Sequence, residues 1–124
     1  MAYNPTIPIV VGDTRPELVV TVRNSNSAAS GQVLNPDDDA TWAVVNITSA
    51  TVKLYIRKVG ETTLQDTITG VVADGSNGIV AFTFGSDTWT DAGVFEGEVE
   101  VTFSDGGVQT MHDRIKFKVR DEFA

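Results

Sequence analysis

Hydrophobic and polar side chains alternate along most of the chain with a period of two. In residues 17–23 Leu18, Val20 and Val22 share one face, and in residues 51–58 Val52, Leu54 and Ile56 oppose Lys53, Tyr55 and Arg57. Residues 79–84 bring Val80, Phe82 and Phe84 together. Residues 95–103 set Phe95, Gly97, Val99, Val101 and Phe103 against Glu96, Glu98, Glu100 and Thr102. Residues 114–120 close the series, with Ile115, Phe117 and Val119 inward and Arg114, Lys116, Lys118 and Arg120 outward. Each run reads as a half-buried strand, and no comparable stretch carries the 3.6-residue period of a helix.

Turn chemistry separates the runs. Gly12-Asp13, Asp74-Gly75-Ser76-Asn77-Gly78, Asp91-Ala92-Gly93 and Asp105-Gly106-Gly107 offer residues that accept positive φ. Residues 62–73 alternate less cleanly around Leu64, Ile68 and Gly70, which predicts one bent strand or two short ones with a bulge. About seven strands, each with one apolar face, are too few to enclose a large channel and enough for two packed sheets. The pattern predicts an all-β fold, an immunoglobulin-like antiparallel β-sandwich.

Residues 1–11 carry Pro5 and Pro8 around Ile7 and then Ile9, Val10 and Val11, which predicts an extended N-terminal arm leading into an edge strand, lying on the body or reaching a neighbour, ahead of a domain over residues 12–124. The arm is expected to be dispensable for folding. Residues 24–39, rich in Ser, Asn, Ala, Gly and Asp, read as a long exposed loop before Trp42. A hairpin at Asp105-Gly106-Gly107 with Ser104 facing Val108 sets Glu98 opposite Arg114, Glu96 opposite Lys116 and Phe95 beside Phe117. The same register turns Asp113 inward unless a bulge near His112 shifts the phase.

Composition narrows the chemistry. The 124 residues suit one domain, and 9 basic against 17 acidic side chains give a net charge of −8, a field that repels phosphate backbones and anionic membranes. Neither nucleic acid nor a membrane is an expected partner. No apolar run approaches the roughly 18–20 residues of a spanning helix, and residues 1–8 lack the pattern of a signal peptide. With no cysteine there is no thiol chemistry and no zinc–thiolate site.

Candidate sites are few. His112 is the only histidine, and it points away from Asp113 on a regular strand, so no catalytic dyad forms and no enzyme is expected. No cofactor is expected. Asp37, Asp38 and Asp39 are the weak candidates for a hard cation, set against the plainer reading of a solvated loop. Trp89 and Tyr55, with Trp42 and Tyr3, could form a stacking platform for sugar, set against a core role for Trp42 and an end plug for Trp89. Asn46-Ile47-Thr48 matches a glycosylation sequon and is read as incidental. Tyr3, Ile7, Ile9 and Val10 are the candidate partner-binding residues, through addition of the arm to a neighbour's sheet.

The order of motifs adds a resemblance. Gly12-Asp13-Thr14, the strand with Leu18, Val20 and Val22, and Asn46-Ile47-Thr48-Ser49-Ala50-Thr51-Val52-Lys53-Leu54 come first. Gly78-Ile79-Val80, Asp91-Ala92-Gly93-Val94-Phe95-Glu96-Gly97-Glu98-Val99-Glu100-Val101 and Ser104-Asp105-Gly106 follow. Over about residues 11–119 this succession resembles the immunoglobulin-like N-terminal domain of baseplate upper proteins of tailed bacteriophages. The resemblance implies a non-enzymatic virion protein, made in the host cytoplasm, which attaches other virion structural proteins as a tail or baseplate adaptor or a head decoration. It implies a homo-oligomer or a symmetric array in the particle. The sequence departs from the family by ending at Ala124, without room for a receptor-binding head, and by its longer loop at residues 24–39. The alternative expectation is a carbohydrate-binding module for host-surface adhesion.

Overall fold

The computed structural model describes residues 6–111 and 114–123. Tyr3, His112 and Asp113 therefore lie outside the described residues. Eleven strands are present among those described: β1 (Ile7–Val10), β2 (Leu18–Thr21), β3 (Arg23–Ala28), β4 (Trp42–Val44), β5 (Thr51–Lys58), β6 (Leu64–Thr69), β7 (Val71–Asp74), β8 (Ile79–Phe82), β9 (Gly93–Thr102), β10 (Val108–Thr110) and β11 (Ile115–Arg120). The larger sheet runs β1-β11-β9-β5-β6, with β10 paired to one end of β9. The smaller runs β2-β8-β7, and β3-β4 form a separate ribbon. The larger sheet and the three-stranded sheet pack as a sandwich. The fold is the all-β sandwich that the alternation predicts.

The core is built from the faces read in the sequence. Val52, Leu54 and Ile56 of β5, Phe95, Val99 and Val101 of β9, Ile115, Phe117 and Val119 of β11, and Val80 and Phe82 of β8 are all buried. At Gly97 a Cβ would stand 2.9 Å from Leu54 Cδ1 and 3.0 Å from Phe117 Cε2, so the missing side chain is what admits the Phe117 ring. Residues 62–73 resolve into two strands in different sheets, β6 and β7, and the chain crosses between layers at Gly70. There a Cβ would stand 2.5 Å from Val80 Cγ2.

The register of the last strands follows the charge argument in part. Lys116 lies opposite Glu96 and Phe117 opposite Phe95, as expected. The hairpin is displaced: Val108 pairs with Thr102, and Phe103 N–H donates to Gly107 O at 2.8 Å, which leaves Ser104-Asp105-Gly106 as the loop. Gly106 takes φ +91°, the left-handed residue that a three-residue hairpin loop demands. Met111 N–H donates to Val99 O while Ile115 pairs with Gly97. From Met111 to Ile115 the chain thus advances four residues while its partner advances two; the bulge expected near His112 lies outside the described residues. Arg114 reaches Glu96 at 3.4 Å.

Pairing places the edge strand expected after the arm at Ile7–Val10 and shortens the expected loop. The N-terminal arm contains a strand of the sandwich: β1 runs parallel to β11 with Ile7 opposite Phe117, and Ile9 is a core residue. The exposed loop is shorter than residues 24–39, because β3 is hydrogen-bonded to β4 and residues 39–41 form a 3-10 turn. Trp42 holds that loop from below. Its indole N–H donates to Asn35 O at 3.0 Å while its side chain is fully buried.

Candidate functional site

The sequence-derived candidates are not brought together. Ile9 is spent in the core, Ile7 is half-buried, and Val10 is half-buried at the start of the turn to Asp13. Trp89 is 1% exposed and packs its ring against Phe117 (4.9 Å between centroids), Phe84 (5.2 Å) and Phe95 (5.6 Å). Tyr55 stands on the opposite, outer face of the larger sheet, where its hydroxyl donates to Glu100 Oε1 at 3.1 Å. That bond, with burial and the nearby Glu98 and Glu100 charges, holds the phenol above its usual pKa. The expected sugar platform is therefore not formed: Trp89 is the end plug of the sandwich, on the other side of a sheet from Tyr55.

The aspartate run builds a turn. Asp38 Oδ1 accepts from Ala40 N–H at 3.1 Å, and Asp37 N–H donates to Asn35 Oδ1 at 3.0 Å. Among the described residues no group of three His, Asp or Glu side chains converges as a metal ion would require.

The outer face of the larger sheet is a charged ladder. Glu96, 8% exposed, receives Arg57 Nε and Arg114 Nη1 at 3.4 Å each, and Lys53 lies opposite Glu100. A second polar set ties the segment before β9 to β6. Thr88 Oγ1 donates to Asp66 Oδ2 at 2.6 Å and accepts from Gly85 N–H, and Gln65 Nε2 donates to Thr88 O. Both sets are structural, since their partners are one another.

What remains is a seam where the edges of the two sheets face each other. Val22 N–H donates to Gly78 O at 2.8 Å. In an antiparallel ladder every second residue faces the same neighbour, so Val20 and Leu18 also spend their main-chain groups on β8. Val19 and Thr21 then direct N–H and C=O to the open side. Val45 N–H donates to Val22 O, so β4 continues the β8 side and Arg23 extends the open edge. Among the described residues no strand pairs with this edge.

The facing edge of β1 is blunted. Val11 N–H donates to Arg120 O, so alternate residues Ile9 and Ile7 bond β11 while Pro8 and Val10 turn outward. Pro8 has no N–H to offer, and Val10 O is taken by Asp13 N–H at 3.0 Å. Between the two edges lies a largely apolar cleft of about 380 Å³ lined by Ile7, Leu18, Val20, Trp42, Met111 and Ile115, with Arg23 and Asp39 also on its wall. An edge with free main-chain groups above an apolar cleft suits an extended polypeptide: the backbone adds to the ladder and alternate side chains enter the cleft. Of the candidates read from the sequence, Ile7 and Trp42 line this cleft. The signal that points to it is Pro8, which marks β1 as a closed edge and leaves β2 as the open one.

Searches of the chain against protein-family models and against curated proteins return no match.

Proposed function

We propose that this chain is a non-enzymatic structural protein of a tailed-phage virion, which attaches other virion proteins as a tail or baseplate adaptor or a head decoration. The observation that carries the attachment is the open edge of β2 at Val19 and Thr21 above the apolar cleft. Strand addition there supplies hydrogen bonds of any sequence and selectivity through the side chains that fill the cleft. The virion setting rests on the succession of motifs from residue 12 to residue 106 that resembles the phage baseplate domain. The charge-rich face of the larger sheet fits the same reading, since its lysine, arginine and glutamate ladder keeps one side of the sandwich solvated.

The test uses tagged protein in particles purified from infected cells by density gradient. Wild-type chain is expected to sediment with the particles. Val19→Pro, which removes an N–H from the open edge without touching the ladder to β8, is expected to fold and to remain at the top of the gradient. Wild-type protein absent from particles would overturn the virion reading. Undiminished incorporation of the folded proline variant would overturn attachment through β2.

A further inference from the structure

We infer that the strand added to β2 is β2 of a second copy, antiparallel about a twofold axis at Val20. This rests on the attachment reading and names its partner. The edge is self-complementary in its main chain. With Val20 on the axis, Val19 of one copy lies opposite Thr21 of the other. Both residues direct N–H and C=O to the open side, so the two symmetric pairs form about four main-chain hydrogen bonds. An axis at Thr21, with Val19 opposite Arg23, would engage these groups as well, so the main chain fixes the antiparallel pairing and the side chains choose the axis.

The same register matches charge. It sets Glu17 of each copy opposite Arg23 of the other, twice by symmetry; Glu17 is exposed beside the edge and Arg23 is half-buried, lining the cleft. Thr83 Oγ1 donates to Glu17 at 3.4 Å. Arg23 directs Nη1 to Trp42 O at 3.0 Å and keeps the other limb of its fork for a carboxylate.

The outer face of the smaller sheet supports a continuous joint. Val19 is 60% exposed and Val71 is 70% exposed, and both lie opposite Ala81, so the row across β2, β8 and β7 carries no charge. Pairing β2 with its copy joins two three-stranded sheets into one of six and brings the two clefts together across the axis. Each copy carries a charge of −8, so long-range repulsion opposes the association and the contact depends on these local matches.

Sedimentation velocity of the full chain over about a hundredfold concentration range tests the pairing. The wild-type protein is expected to pass from monomer to dimer as concentration rises. Glu17→Arg alone and Arg23→Glu alone are each expected to weaken the dimer about ten- to thirtyfold, and the two together to restore it, because the exchange rebuilds both cross-copy pairs. Val19→Pro is expected to abolish it with the far-ultraviolet spectrum unchanged. As the chain has no cysteine, Glu17→Cys with Arg23→Cys is expected to give a disulfide-linked dimer on mild oxidation. A wild-type protein that stays monomeric, or a dimer indifferent to the charge exchange, overturns the inference. So does a monomer that dimerises only once residues 1–5 are removed, which would assign the edge to the chain's own N-terminus. A monomer that still enters particles through β2 overturns the pairing and leaves the attachment reading standing; a dimer that obeys the exchange but never enters particles does the reverse.

Discussion

Gly70→Ala is expected to destabilise the sandwich by about 2 kcal/mol, although it adds a single methyl group. The added Cβ would lie 2.5 Å from Val80 Cγ2 and 2.8 Å from Phe82 Cε1, against an ordinary contact of about 3.5–4.0 Å. One side must therefore move by about 1 Å. Neither can do so freely, because Val80 and Phe82 are both fully buried and Gly70 N–H is held to Val52 O at 2.8 Å. For a chain of this size the loss corresponds to a fall of about 5–10 °C in the melting midpoint. Val80→Ala alone leaves a cavity and is expected to cost about 2 kcal/mol as well. Combined with Gly70→Ala, the new methyl occupies the vacated space, so the double variant should be more stable than the sum of the two losses by at least about 1 kcal/mol. Calorimetry or urea titration of the four proteins completes the cycle. A Gly70→Ala protein that melts with the wild type, or losses that simply add, would refute the crossing of the chain between layers at this position.

Trp89→Ala is expected to cost about 3–5 kcal/mol by emptying the aromatic cluster with Phe84, Phe95 and Phe117, whereas Trp89→Phe should cost much less. The indole nitrogen is buried without a partner, so its removal offsets part of the lost volume; equal losses in urea titration would contradict this. Tyr55 has a folded-state pKa above its unfolded value, so its contribution to stability is complete below about pH 10 and is lost as pH rises through the folded pKa. Tyr55→Phe should flatten the alkaline fall in the urea midpoint, and an unchanged slope would count against the Glu100 bond. Deleting residues 1–8 removes Ile7 and Pro8 from β1 and should cost about 2 kcal/mol, measured as a lower melting midpoint, where a dispensable arm would leave it unchanged.

The faces of the strands were legible in the sequence because burial on one side of a sheet imposes a period of two. Val52, Leu54 and Ile56, or Ile115, Phe117 and Val119, could hardly be arranged otherwise. The register between β9 and β11 was legible from charge, and Trp89 as a plug from its place before a strong strand. β3 was not: Arg23-Asn24-Ser25-Asn26-Ser27-Ala28 has no apolar face, and it is a strand because its main chain pairs with β4. The joining of β1 to β11 was hidden for the same reason, since alternation reports which way a side chain points and says nothing of the neighbouring strand. That neighbour decides the candidate site. An open edge is a property of pairing, and the one local mark of it was a proline on the strand across the seam.

Residue-by-residue amide hydrogen exchange, on the isolated chain and on the chain recovered from its assembled state, reads the open edge directly. At concentrations that keep the isolated chain monomeric, the amides of Val19 and Thr21 are expected to exchange freely while those of Val20 and Val22, bonded toward β8, are protected. In the assembly all four are expected to be protected. Val19 and Thr21 amides already slow in the monomer, or as fast in the assembly as outside it, would contradict attachment through β2.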